Sequence, residues 1–490
     1  MPVAFGRRDS EREGNAAPAA LFGSQRIWLW FAIVPLAAFL RFLCLSRKSV
    51  YLDEALSIFY AHLSWHEFAQ VLSMRDANMA LYYLLLRGMM PIGDSEFWVR
   101  LPSVVAGVGA VPVIYALGSK LFDRRSGLLA ALLLSVNACH VVYSQEARGY
   151  ALAVLLVALS SWLFVKGIEA PSWKSWFSYA LISALAVHSH FYAGLVLLAQ
   201  WTSLFALPRR MVPVKHFVGA MILSGVLISP ALLFVLRHHE GHINWVPAMS
   251  WLEVYHTAIF LAADGGKVPG NLLLLFCLLA LLIAARELLS GAFRRQSLAQ
   301  PLDQSMLRWK QMFPWFWLLV PMVVTAAGSL WTPLFFHRFL IVCLPAFILL
   351  VARGLTLLRP YSVWAMAFAA LSILTAFLSY SRTREDWRGA AHYVLSQEQP
   401  GDAIWFCRGY ADTPFLYYGS RFPVASRPDL LAGEDIPDLR GKTRLWVVFY
   451  PIPTSDSAAM ESKMTAQYSV LQQSSFRGMR IVLFNVNRLP

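Results

Sequence analysis

Long apolar runs recur along this chain, and they decide what it can become. A helix needs roughly 20 consecutive apolar residues to cross the hydrocarbon core of a bilayer. Such runs lie near 27–45, 101–120, 127–144, 150–167, 177–190, 191–207, 217–236, 271–289, 313–331, 339–358 and 361–380, which reads as about eleven transmembrane helices. The two runs either side of His188-Ser189-His190 are joined by almost no loop. A soluble core could not hide this much apolar surface. Of the 490 residues, 58% are hydrophobic and 14% charged, against about 25% charged in an average soluble domain. The expected fold is an all-α polytopic membrane domain.

The formal net charge of +14 invites a nucleic-acid reading, and its distribution argues against one. Place the N-terminus in the cytoplasm and let the helices alternate. The inside segments then collect Arg7, Arg8, Arg12, Arg26, Lys120, Arg124, Arg125, Lys166 and Lys174. They go on to collect Arg209, Arg210, Lys215, Arg286, Arg294, Arg295, Arg308, Lys310, Arg353 and Arg359. The opposite loops before residue 381 hold about half as many basic residues, which is the positive-inside pattern. The excess charge is therefore topological, and no nucleic-acid partner is expected. The polar start enters the first apolar run without a small-residue cleavage site, so a multi-pass protein of the cytoplasmic (inner) membrane is expected. The five cysteines form no paired framework and read as small apolar fillers.

Organisation follows from the same walk. Residues 1–26 read as a cytoplasmic segment, 27–380 as the membrane domain with a large first outer loop at 46–100, and 381–490 as a tail outside. A further outer loop lies near 237–270. The tail has soluble composition, with β-rich runs at Ala403–Phe406, Leu445–Phe449 and Arg480–Phe484, and an amphipathic helix from Trp387 to Leu395. It reads as a small extracytoplasmic α/β domain.

Ionisable groups at the membrane are costly to keep, about 2.5 to 3.5 kcal/mol each at the centre of a spanning helix, so those retained tend to have tasks. Under this topology Asp53-Glu54, Arg100, Glu146 with Arg148, His188 with His190, and His337-Arg338 all fall on one face. Each also has a plain reading. Asp53 could be solvated or paired, Arg100 and Arg148 could anchor at the interface, and Glu146 and Arg148 could pair with each other. The two histidines, two residues apart, are more often structural than metal-binding.

Ordered strings along the chain carry more weight. They are Tyr51-Leu52-Asp53-Glu54-Ala55, Leu81-Tyr82-Tyr83-Leu84-Leu85-Leu86-Arg87, Arg100-Leu101-Pro102-Ser103 and Tyr143-Ser144-Gln145-Glu146-Ala147-Arg148-Gly149-Tyr150. Then come His190-Phe191-Tyr192, His337-Arg338-Phe339-Leu340 with Leu344-Pro345-Ala346, and Glu385-Asp386-Trp387-Arg388-Gly389-Ala390-Ala391. In this set the chain resembles the GT-C superfamily of lipid-carrier-dependent glycosyltransferases. Within it, the likeness is to the family 39 branch of protein O-mannosyltransferases and the bacterial aminoarabinose transferase. One departure stands out. Relatives commonly carry His-Pro-Pro before the Leu-Tyr-Tyr element, where this chain has Asn78-Met79-Ala80.

The resemblance implies a hexosyl- or pentosyltransferase that moves a sugar from a polyprenyl phosphate to an acceptor on the extracytoplasmic face. The acceptor, whether protein, lipid or glycan, is left open. Asp53 would be the general base, with Glu54 orienting it or the acceptor. Arg148, then Arg100 and Arg338, would hold the carrier phosphate, with Glu146, Tyr82 and His190 lining the substrate site. No cofactor is expected, and a divalent metal has no support once the histidine of the departing string is gone. The alternatives are another lipid-linked cell-envelope enzyme, or a transporter or flippase of a lipid-linked sugar.

Overall fold

The structure, a computed structural model, describes residues 27–237, 245–265, 267–293, 301–381, 384–407, 411–420, 429–432, 435–451 and 455–487. The expected cytoplasmic segment 1–26 and the basic pair Arg294-Arg295 lie outside the described residues.

A π-helical turn, Leu29–Ile33, leads into α1 (Val34–Phe42). Three short helices follow, α2 (Leu52–His62), α3 (Trp65–Met74) and α4 (Ala80–Met89). Then come α5 (Glu96–Leu121), α6 (Arg124–Val136), α7 (Ala138–Ser144), α8 (Tyr150–Glu169), α9 (Trp173–Ser189) and α10 (Ala193–Ser203). The series continues with α11 (Val214–Arg237), α12 (Trp251–Ala263), α13 (Val268–Phe293), α14 (Pro301–Gly328), a 3-10 turn at Phe339–Cys343, α15 (Leu344–Thr356) and α16 (Tyr361–Tyr380). The tail holds α17 (Trp387–Leu395), β1 (Ala403–Phe406), α18 (Asp412–Gly419), β2 (Asp429–Ala432), β3 (Arg444–Phe449), α19 (Ser455–Gln467), β4 (Ser469–Phe476) and β5 (Met479–Asn485).

Every apolar run read from the sequence falls on helix. Among the described residues, seven helices are long and apolar enough to cross a membrane, or eight if the bent pair α6–α7 is one span. The runs near 27–45 and 191–207 give shorter apolar helices, Leu29–Phe42 and Ala193–Ala206. The chain is a multi-pass membrane protein.

The described residues form two compact units. The first takes residues up to Leu43, Val104–Ser144 and Tyr150–Phe377; the second takes Cys44–Ser103, Gln145–Gly149 and Leu378 onward.

In the first unit α8 and α15 are the interior helices, while α11 leaves Val218, Ile222, Val226 and Leu236 exposed, as a lipid-facing helix would. Small residues let helices close in, since lipid tails give apolar side chains no drive to leave them. Gly118 is one such point: a Cβ there would come within 2.9 Å of the Gly127 backbone. Charge also ties helices together. Arg353 of α15 donates to Asp123 before α6 at 2.6 Å and to Glu287 of α13 at 2.8 Å.

The break between α6 and α7 bends the chain by 58° at Asn137. A helix end leaves carbonyls without partners. Here the fully buried Arg41 supplies donors to the carbonyls of Leu134 (3.2 Å) and Ser135 (3.0 Å). Asn137 caps the new start, its Oδ1 accepting the His140 N–H at 2.9 Å. The chain leaves α7 at Ser144, directly before the Gln145–Gly149 loop.

In the second unit the tail folds as a five-stranded sheet of order β2-β1-β3-β5-β4. β1 pairs in parallel with β2 and β3, and β5 pairs antiparallel with β3 and β4. Leu445 to Phe449 of β3 are all buried because both faces are covered. Met464 of α19 packs on the side of Trp405 and Val447, and Tyr393 of α17 meets Trp446 on the other. The small α/β region expected at the C-terminus is present.

Candidate active site

The site residues of the second unit gather at the first turn of α2. Tyr51 precedes the helix in extended conformation, and Asp53 and Glu54 fill the first turn. Carboxylates are favoured there because the unpaired N–H groups give a helix start partial positive charge. Two of those N–H groups have side-chain partners. That of Tyr51 reaches Glu54 Oε2 at 3.4 Å, and that of Leu52 reaches Glu385 Oε2 at 3.2 Å.

Adjacent residues on a helix point about 100° apart, so Asp53 and Glu54 meet different surroundings. Glu54 is fully buried. Its Oε1 accepts from Arg100 Nε at 2.8 Å and from the Ala147 N–H at 2.8 Å, and its Oε2 accepts from Arg100 Nη2 at 2.7 Å. Arg100 spends its other donors on the carbonyls of Leu45 (2.7 Å), Lys48 (2.9 Å) and Ser49 (3.1 Å). A guanidinium has five N–H donors, and all five of Arg100 are engaged. Desolvating such a pair is expensive, and only good geometry with every partner satisfied makes it tenable. Asp53 is half-buried, and its carbonyl accepts from Ser57 Oγ at 2.9 Å and from Arg148 Nη1 at 3.3 Å.

Arg148 binds the same turn from the other side. Its Nη1 also lies 3.1 Å from Ser57 Oγ and 3.3 Å from the Tyr83 hydroxyl, which donates to Asp76 Oδ2 at 2.6 Å. Burial pushes the Tyr83 phenol well above the ordinary tyrosine range, with Asp76 adding to the rise and Arg148 opposing it. The Arg148 carbonyl is 3.0 Å from Ser103 Oγ, which is also 3.0 Å from the Tyr82 hydroxyl.

Glu146 is buried beside Tyr51. The Tyr51 hydroxyl donates to its Oε2 at 2.8 Å, and Arg384 Nη2 meets its Oε1 at 2.6 Å. The Arg384 guanidinium also sits over the Tyr51 ring, 4.4 Å from its centroid. Burial raises the Tyr51 phenol far above its usual value, Arg384 pulls it down, and Glu146, Asp53 and Glu54 push it further up.

Tail residues pin the first loop at more points. Glu385 accepts from Leu52 N–H, from Trp387 Nε1 at 2.6 Å and from the Tyr450 hydroxyl at 3.0 Å. Arg388 Nη2 donates to Glu96 at 2.7 Å and to the Ser46 carbonyl at 2.9 Å. The Tyr418 hydroxyl donates to Glu96 at 3.0 Å and accepts the Val50 N–H at 2.7 Å.

Residues 79–234, roughly a third of the chain, match the family model of dolichyl-phosphate-mannose-protein mannosyltransferase. A solved structure of ArnT from Cupriavidus metallidurans, bound to undecaprenyl phosphate, aligns with a TM-score of 0.55 at 14% identity, covering 96% of this chain and 99% of that one. The archaeal oligosaccharyltransferase AglB from Archaeoglobus fulgidus, in complex with an inhibitory peptide and a dolichol-phosphate, aligns with a TM-score of 0.55 at 9% identity. That alignment covers 95% of this chain and 75% of AglB. The chain has the GT-C fold. The resemblance read from the ordered strings is thereby borne out. No curated protein matches the sequence.

Within this GT-C fold, six of the eight residues singled out from sequence share the second unit: Asp53, Glu54, Tyr82, Arg100, Glu146 and Arg148. His190 and Arg338 belong to the first unit. His190 is buried, its Nδ1 accepting the Tyr192 N–H at 3.3 Å and its ring near Phe339 at 5.7 Å. Arg338 is half-buried, 6.0 Å from the Phe336 ring centroid. His188 bonds the Leu227 carbonyl at 3.0 Å, as a structural histidine would. Among the described residues no group of three or more His, Cys, Asp or Glu side chains is arranged to hold a metal ion.

Sequence reasoning missed Arg384, Asp76, Ser57, Glu96 and Tyr418. Arg384 directly precedes the string that opens the tail, which was a usable signal. The others depend on how the loop folds back, and nothing in the sequence marks them.

Proposed function

We propose that this protein is a membrane glycosyltransferase that moves a sugar from a polyprenyl phosphate to an acceptor on the extracytoplasmic face. The observation that carries the proposal is the first turn of α2. A half-buried Asp53 stands there beside a buried, saturated Glu54–Arg100 pair, with Arg148 bound to the turn's carbonyl. The lipid carriers named for ArnT and AglB, undecaprenyl phosphate and dolichol-phosphate, support the donor class. The excess of basic residues on the opposite loops supports the face.

In this reading Asp53 is the general base. An acceptor hydroxyl or amine attacks the sugar's C1 while its proton passes to the Asp53 carboxylate. The C1–O bond to phosphate breaks, and its electron pair leaves on the phosphate oxygen of the lipid carrier. A single displacement inverts the anomeric centre. A positioned base of this kind contributes about 10² to 10⁴ in rate.

Glu54 and Arg100 act through position. Their shared bonds lock the start of α2, the turn at Leu45–Ser49 and the Ala147 amide into one piece, and Arg100 keeps no donor for a phosphate. Arg148, at the same turn and half-buried, is the better placed of the two for the leaving group. Tyr82 and Ser103 brace the Arg148 main chain. No cofactor takes part in the proposed step.

The test is transfer of labelled sugar from polyprenyl-phosphate mannose and polyprenyl-phosphate arabinose by membranes containing the chain. Product with the anomeric centre inverted relative to the donor supports the reading. Product of retained configuration would remove the single-displacement mechanism.

A further inference from the structure

The tail contributes a cation to the site. Arg384 lies ahead of the first strand of the sheet, which begins at Ala403, and just before α17, yet its guanidinium reaches Glu146 and Tyr51, both more than two hundred residues away in sequence. Two other arginines near the first turn of α2 are committed elsewhere: Arg100 has given all five donors to Glu54 and three carbonyls, and Arg388 ties Glu96 to Ser46. Arg148, at the Asp53 carbonyl, is the other cation at this turn. The Arg384 side chain is 29% exposed, against 2% for that of Arg100 and 39% for that of Arg388.

We infer that Arg384 is an anion-binding residue of the site, taking the phosphate of a lipid-linked ligand, with Glu146 as its resting counter-ion. The inference rests on the proposed glycosyl-transfer reading. A guanidinium held over an aromatic ring by cation–π attraction loses less further freedom when it forks onto phosphate oxygens, and the ring contact does not depend on which anion it pairs with. Glu146 keeps its bond from the Tyr51 hydroxyl whether or not Arg384 stays with it. A phosphodiester donor carries one negative charge on its phosphate, and the monoester left after transfer carries more, so a cation here serves the leaving group most as the C1–O bond breaks. The phosphate and Glu146 compete for one guanidinium.

That competition gives the two partners opposite effects on affinity, which a purely structural ion pair would not. The experiment uses the full-length protein in lipid nanodiscs. Binding of undecaprenyl phosphate, undecaprenol and inorganic phosphate is followed by tryptophan fluorescence, with thermal melts of each variant alongside. Wild type is expected to prefer undecaprenyl phosphate over undecaprenol, with inorganic phosphate displacing it only weakly. Arg384→Ala is expected to weaken undecaprenyl phosphate binding about tenfold while leaving undecaprenol unchanged. Arg384→Lys should fall between them, and Glu146→Gln should bind the lipid phosphate more tightly than wild type.

Wild-type affinity retained in Arg384→Ala overturns the inference and leaves the glycosyl-transfer reading standing. Parallel weakening in Glu146→Gln and Arg384→Ala overturns it too, in favour of a structural staple. Inorganic phosphate binding as tightly as the lipid overturns the lipid assignment. Absence of any phosphate preference in wild type overturns both readings together.

Discussion

Glu54 and Arg100 form a two-point ion pair, Nε to Oε1 at 2.8 Å and Nη2 to Oε2 at 2.7 Å, with both side chains almost wholly buried. Removing one partner strands the other charge without water. Arg100→Ala is expected to destabilise the protein by about 3–5 kcal/mol, read as a lowered melting temperature in detergent. Arg100→Lys should not rescue it, because an ammonium cannot span a carboxylate and three carbonyls at once.

Glu385 holds the Leu52 amide, one residue before Asp53, while itself held by Trp387 and Tyr450. Glu385→Ala should therefore act on geometry rather than on donor binding. The expected result is a kcat lowered roughly tenfold or more with little change in donor KM. Glu385→Gln, which keeps an acceptor oxygen, should recover part of the rate. An equal rise in KM would show instead that the tail binds donor through this residue.

Tyr418 bridges the Val50 amide and Glu96 through one hydroxyl. Tyr418→Phe leaves the Val50 N–H buried without its partner, a loss of about 1–3 kcal/mol. Hydrogen exchange at Val50 and its neighbours should accelerate. Unchanged exchange there would mean the first loop does not depend on the tail.

The spans and the tail were legible because their patterns are simple: long apolar runs, and alternating β-rich segments between turn residues. Span lengths were less so. The first run reads through to residue 45, but the helix ends at Phe42 and Cys44 takes a positive φ of 60°, which composition does not reveal. The site was legible as a set of strings and not as a set of roles. Asp53 and Glu54 look equivalent in sequence, yet the helix turns one toward Arg100 and leaves the other half-exposed. Arg100 and Arg148 likewise look alike until the turn at Leu45–Ser49 presents its carbonyls to one of them. The plain expectation for Glu146 was a pair with Arg148, while its observed cation, Arg384, is 238 residues further on.

Burial pushes the phenols of Tyr51 and Tyr83 well above the ordinary range, from about 10 in an unfolded chain. With the folded value raised, their contribution to stability is fully present below about pH 10 and is lost as pH rises toward the folded value. The melting temperature should accordingly fall on the alkaline side of pH 10. In Tyr51→Phe the fall should be shallower, since that phenol no longer favours the unfolded chain at high pH. An identical alkaline slope in wild type and Tyr51→Phe would contradict the burial of this group.

The central claim, that Asp53 is the base of a lipid-donor glycosyltransferase, is tested most directly by one comparison. Wild type and Asp53→Asn are reconstituted in liposomes at matched amounts and melting temperatures, and labelled sugar transfer from polyprenyl-phosphate mannose and arabinose is measured. Transfer by wild type, with a loss of about 10² or more in the variant, is the predicted result. Equal transfer by both proteins would contradict it and remove Asp53 from the mechanism.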